Sequence, residues 1–128
     1  MKSIYLFLFI SLGLLSGCAF NEINQQTEQA DAEIQKYIKV RNLTMQKTAD
    51  GMYFLKDTKG STGKTASTSD LIKFHYKMTL LDGTLVDSTN RVLNQFKAEV
   101  WGTNATVFTL PLSNLKEGES GVFILPAS

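Results

Sequence analysis

The chain has 128 residues, 43% of them hydrophobic and 20% charged, and 13 basic against 12 acidic side chains give a formal charge of +1 at pH 7. That length is enough for one small core and not for two. Lysine and arginine are spread along the chain with no basic patch, which argues against nucleic-acid binding. One His and one Cys cannot make a zinc site of the usual kind, so no such metal is expected.

Lys2 gives a positive start, and Ile4 to Leu15 is almost wholly apolar. This run of about a dozen residues is shorter than the roughly 20 that a membrane-spanning helix needs, so residues 1–17 read as a signal peptide. The closing Leu15-Ser16-Gly17-Cys18 resembles the lipobox of bacterial lipoproteins, which implies cleavage before Cys18 and lipid attachment at that residue. Cys18 is the only cysteine, so no internal disulfide can form, and lipidation accounts for a lone thiol in an exported protein. The alternative is an uncleaved anchor with an incidental cysteine. Several acyl chains, at about 0.8 kcal/mol per buried CH₂, hold a protein on a membrane far more firmly than one chain does. Ala19 follows Cys18, with no acidic residue to signal retention at the inner membrane, so the expected site is the outer membrane facing the periplasm.

Residues 18–30 carry the lipidated Cys and a polar, Gln-rich tether, whose last part either stays extended or joins the helix that follows. Asp31 to Val40 favours helix, with Ile34, Tyr37 and Ile38 on one face and Asn42 as the stop. The helix packs on its own domain or docks elsewhere, the first reading being the plainer. Leu43–Thr48 and Met52–Asp57 form a hairpin around Ala49-Asp50-Gly51. Lys59 to Asp70 is a loop rich in Gly, Ser, Thr and Lys. Its Gly63-Lys64-Thr65 ends like a phosphate-binding loop, but that motif needs a Gly at position 58, which is Thr. No helix follows either, so no nucleotide is expected.

From Leu71 to Leu80 the pattern alternates: Ile72, Phe74, Tyr76, Met78 and Leu80 on one face, Lys73, His75, Lys77 and Thr79 on the other. Period-two alternation predicts a half-buried strand. Asp82-Gly83 supplies a tight hairpin turn, and the second strand starts at Thr84 and carries Val86 toward Asp87. Beyond Ser88, Leu93–Val100 fits a short helix or a strand. Val107–Leu110 reads as a strand, Lys116–Glu119 as a polar turn, and Gly121–Leu125 as a last apolar strand ending at Pro126.

The hairpin resembles the FKBP-type peptidyl-prolyl cis-trans isomerases, whose pattern is His-Tyr, a short apolar run, Asp-Gly-Thr, one or two apolar residues, then Asp-Ser. His75-Tyr76, Leu80-Leu81-Asp82-Gly83-Thr84 and Asp87-Ser88 match it without a gap. Tyr37-Ile38 and Gly51-Met52-Tyr53 are similar to exported FKBP-type lipoproteins of the Bacteroidetes sort. Leu115 to Glu119, with the apolar strand and Leu125-Pro126, is similar to a later segment of the family.

The resemblance implies an α+β fold over residues 31–128, a bent antiparallel β-sheet of FKBP-like type with a short N-terminal helix. It implies an isomerase that turns X-Pro bonds in proline-containing exported or unfolded polypeptides without a cofactor. Tyr76 and Asp87 would line the proline pocket, with the Tyr hydroxyl donating a hydrogen bond. Val86 would form an apolar wall, and Phe108 is a further wall candidate from its strand position. Each has a plain alternative: a core aromatic for Tyr76 and Phe108, a turn cap for Asp87. His75 alternates outward and reads as a surface residue. The other functional reading is a non-catalytic FKBP-like lipoprotein serving as a binding or assembly module.

Two departures from the family pattern are expected to matter. Family members place Val-Ile-x-Gly-Trp and a short helix, which supply the pocket floor, between the strand matching Val107–Leu110 and the turn at Glu117-Gly118. Only Pro111 to Asn114 separates Leu110 from Leu115, so the floor segment counts as missing, and Trp101 lies too early to replace its Trp. The sequence also stops at Ser128, where the family continues through a Tyr-containing loop and a closing strand, so the domain is expected to be incomplete.

Overall fold

The computed structural model describes residues 18–127; the signal peptide expected over residues 1–17 lies outside them. The chain divides into two compact units. One is built on the N-terminal helix up to Leu43 together with the chain from Pro126, and the other is Thr44–Leu125.

In the first unit, helix α1 runs from Cys18 to Val40. It therefore takes in the stretch expected to be a tether. Residues 18–30 contain no Gly or Pro and are rich in Gln, Glu and Ala, so nothing local opposes the helix and polarity alone does not unwind it. Gln35 donates to Asp31 across one turn at 2.8 Å. Ile34 is buried and Tyr37 and Ile38 are half-buried, as the apolar spacing predicts. The stop at Asn42 is a left-handed residue, φ 52°. Its N–H reaches the Lys39 carbonyl (3.1 Å) and the next N–H, from Leu43, reaches Ile38 (3.0 Å), which closes the helix end. Among the described residues no helix is long and apolar enough to cross a membrane.

The second unit is antiparallel throughout. Strands β1 (Gln46–Lys47) and β2 (Tyr53–Asp57) form the expected first hairpin, and β7 (Ser120–Ile124) pairs along the whole of β2, Tyr53 opposite Ile124. Met52, Tyr53 and Ile124 are buried and make the core of this ladder. Strands β3 (Leu71–Phe74) and β6 (Lys97–Val100) pair separately, as do β4 (Lys77–Thr79) and β5 (Leu85–Ser88). The α+β class is as expected, but the single bent sheet is divided into three small ones. One cause is visible at His75-Tyr76, where the strand expected from Leu71 to Leu80 is interrupted.

The strand expected over Val107–Leu110 does not form. Val107 and Phe108 lie in a turn, followed by the short helix α2 (Thr109–Ser113). Pro111 decides this: it has no N–H to give a ladder, and in a first helical turn that N–H has no acceptor to lose. The Thr hydroxyls help. Thr106 N–H donates to Thr109 Oγ1 (2.7 Å) and Phe108 N–H to Thr106 Oγ1 (3.2 Å), which satisfies amides at the helix start. The loop Lys59–Asp70 forms as predicted, and it is clasped to the Lys116–Glu119 turn. Thr62 N–H donates to the Glu117 carbonyl (2.8 Å) and Glu117 N–H to that of Lys64 (2.9 Å). Glu119 accepts from Lys116 N–H (3.0 Å) and Ser61 Oγ (2.9 Å) and lies 3.5 Å from the Lys56 ammonium.

Gly118 is where this clasp admits no side chain. Its φ is +84°, and a Cβ there would overlap the Gly60 carbonyl oxygen, whereas Gly63 has φ +76° but open space around it. Gly63→Ala is expected to cost about 1–2 kcal/mol from backbone strain alone, and Gly118→Ala roughly 3 kcal/mol or more. Chemical denaturation of the two variants checks this; equal losses would mean that the close approach contributes nothing.

Candidate active site

Two strands and a turn bring the predicted pair together. In the turn, Gly83 has φ +92° and its N–H donates to the Leu80 carbonyl (3.0 Å), while Leu80 N–H donates to that of Thr84 (2.9 Å). Asp82 Oδ1 accepts from Thr84 N–H (2.8 Å), and this bond holds the Asp82 carboxyl below its ordinary range. From the turn the strands run back with Thr79 opposite Leu85, Met78 opposite Asp87 and Lys77 opposite Ser88. Val86 is the extra residue of a β-bulge. The alternation holds from Ile72 to Met78, even-numbered residues half-buried and odd-numbered ones exposed, but Leu80, expected on the inner face, is 55% exposed where the chain enters the turn.

The Tyr76 hydroxyl donates to Asp87 Oδ2, and the other carboxylate oxygen accepts from Ser88 N–H at 2.8 Å. The Asp87 carboxyl is held low first by the Tyr76 hydroxyl and then by that N–H, with help from the Lys97 ammonium. The Tyr76 phenol is pushed up, chiefly because its proton is shared with Asp87 and also because ionising it would set two negative charges side by side. Both shifts favour the same state, neutral phenol against carboxylate.

The Tyr76 ring belongs to a three-ring surface. Its centroid lies 4.7 Å from that of Phe108 and 6.0 Å from that of Phe74, and Phe74 and Phe108 are 5.1 Å apart. The interplanar angles of 45° to 59° are tilted packings, worth about 0.5–1.5 kcal/mol per pair beyond burial. Phe108 reaches this surface from the N-cap of α2, not from a strand. A five-residue helix, Thr109–Ser113, thus stands between Phe108 and the polar turn. The Lys97 ammonium lies 5.5 Å from the Phe108 ring centre and 3.6 Å from Glu99, whose other oxygen accepts from Thr106 Oγ1 at 3.1 Å.

Of the sequence-predicted residues, Tyr76, Asp87 and Phe108 come together. Val86 is the bulged residue beside Asp87 and is 55% exposed. Phe74, Lys97 and Thr89 were not singled out by the sequence reading. Phe74 had a signal, since it lies two residues before Tyr76 on the same face; Lys97 and Thr89 had none. Trp101 extends the β3–β6 ladder, its N–H donating to the Asp70 carbonyl at 2.8 Å. His75 is exposed, as its outward alternation predicts, with Nδ1 3.3 Å from Thr89 Oγ1. Among the described residues no three His, Cys, Asp or Glu side chains are grouped to hold a metal ion. Compared with known proteins, the chain matches no family model and no curated protein sequence.

The paired shifts set a pH window. A depressed Asp87 stabilises the fold above the ordinary carboxylate value and loses that effect as pH falls through its folded value. A raised Tyr76 stabilises below the ordinary phenol value and loses it as pH climbs toward the folded one. The melting-temperature gap between wild type and Tyr76→Phe should be flat from about pH 5 to 9 and shrink outside it. A gap constant into acid would show that the bond does not favour the carboxylate.

Proposed function

We propose that this chain is an FKBP-type peptidyl-prolyl cis-trans isomerase acting on X-Pro bonds of exported or unfolded polypeptides. The observation that carries the reading is the Tyr76 hydroxyl bonded to Asp87 at the edge of the Phe74–Tyr76–Phe108 surface. The Phe108 ring, 4.7 Å from that of Tyr76 and 5.1 Å from that of Phe74, supports it by adding apolar surface beside the pair. The same reading makes the protein a bacterial lipoprotein anchored through Cys18, facing the periplasm from the outer membrane.

The reaction needs no covalent step. Amide resonance raises a barrier of about 18–20 kcal/mol, and proline substrates are favoured because a tertiary amide has little trans preference. Resonance also separates charge between nitrogen and oxygen, and rotation out of plane removes that separation. An apolar surface that excludes water therefore favours the twisted amide over the planar one. Phe108 and the Tyr76 ring provide the surface for the proline ring. The Tyr76–Asp87 bond fixes the edge of that surface and gives it a polar rim.

The test is cis-to-trans isomerisation of a Leu-Pro peptide by the full chain, with a cooperative thermal melt on the same sample. Rate enhancement is expected, with Tyr76→Phe and Asp87→Ala lowering kcat/KM roughly tenfold, equivalent to about 1.4 kcal/mol. Phe108→Ala removes part of the surface that favours the twisted amide, so it should lower kcat roughly fivefold and raise KM as well. A folded sample that binds proline peptides without accelerating them would replace this reading with the non-catalytic binding module.

A further inference from the structure

Tyr76 lies in the gap between β3 and β4. The β3–β6 ladder ends at Phe74 opposite Lys97, and the β4–β5 ladder begins at Lys77 opposite Ser88. Its backbone is held by one residue, Thr89. Tyr76 N–H donates to Thr89 Oγ1 at 3.0 Å, and Thr89 N–H donates to the Tyr76 carbonyl, also at 3.0 Å. The same hydroxyl lies 3.4 Å from that carbonyl and 3.3 Å from His75 Nδ1, and its single proton serves one of them at a time. Thr89 is half-buried between exposed Ser88 and Asn90. Residues two apart on an extended strand share a face, so Asp87 and Thr89 address Tyr76 from the same side. One takes the phenol and the other the peptide group.

We propose that Thr89 is the positioning residue for the Tyr76–Asp87 pair: its hydroxyl stands in for a strand neighbour of the Tyr76 amide and so fixes where the phenol meets the carboxylate. Without it the half-buried Tyr76 N–H has no acceptor and turns toward water, taking the side chain with it. A site constellation tolerates only about 0.5 Å and 10–20° of misplacement, so this turn breaks the pair. The kinetic consequence rests on the isomerase reading; the geometric one does not.

Thr89→Val keeps the shape and removes the hydroxyl, and Thr89→Ser restores the hydroxyl. NMR titration of the Asp87 carboxyl and the Tyr76 phenol reads the pair directly. Thr89→Val should move both toward their ordinary values and lower kcat roughly tenfold, with KM within about twofold. Thr89→Ser should return all three to wild type. If Thr89→Val does not melt cooperatively, Thr89→Cys, whose thiol is a weak acceptor, must show the same displacement. Unchanged titrations in the folded Val or Cys variant would overturn the inference whatever the kinetics. A wild type without isomerase activity would remove the isomerase reading and leave the titrations to decide on Thr89.

Discussion

The bulge at Val86 determines which face of the hairpin Asp87 occupies, and the candidate site depends on it. With Thr79 opposite Leu85, an unbroken register would place Val86 opposite Met78 and Asp87 opposite Lys77. Asp87 would then share the exposed face of Lys77, away from the Tyr76 ring, because a one-residue slip exchanges the two faces of a strand. The extra residue sets Asp87 opposite Met78, on the side that Tyr76 shares. Thr89, two residues on, reaches the same side. A single bulged residue therefore delivers both the partner of the phenol and the partner of the peptide group.

The site is held more by directional bonds than by depth of burial. The residues buried in the second unit, Met52, Tyr53 and Ile124, belong to the β2–β7 ladder, while Tyr76, Phe74 and Phe108 are half-buried and Asp87 is exposed. Rings at such a rim keep apolar surface available to a ligand, and hydrogen bonds supply the order that packing would otherwise provide. The clasp between the Lys59–Asp70 loop and the Lys116–Glu119 turn works in the same way. Backbone pairs and the Glu119 carboxylate hold two Gly-containing turns together with little apolar surface.

Much of this was legible in the residues. The alternation from Ile72 to Met78, the Asp82-Gly83 turn, the first hairpin and the stop at Asn42 all follow from short-range rules, and the structure follows them. The misreadings came where a local signal was outweighed. Residues 18–30 looked like a tether because they are polar, yet helix formation depends on the absence of Gly and Pro and on good helix formers. Val107–Leu110 looked like a strand because it is apolar, and Pro111 and the paired Thr hydroxyls turned it into a helix entry. Phe108 was singled out for a strand position it does not have, although its ring reaches Tyr76. The Val86 bulge and the Thr89 contacts depend on register across the hairpin, which residue spacing along one strand does not specify.

The state of the Tyr76 proton bears on how the proposed isomerase would work. That proton is committed to Asp87, and the raised phenol and lowered carboxyl both hold it there. A substrate carbonyl seeking the same proton would have to displace an ionised acceptor, and hydrogen bonds to charged groups are about twice as strong as neutral ones. The hydroxyl is therefore a poor free donor, and the pair acts mainly by fixing the Tyr76 ring against Phe108. In the proposed isomerase the preference for a twisted amide would then come largely from the apolar face of that ring pair. This division of labour separates the two kinds of residue: changes at Phe108 remove surface that the proline ring would occupy, whereas changes at Asp87 or Thr89 leave the surface present but no longer held in place.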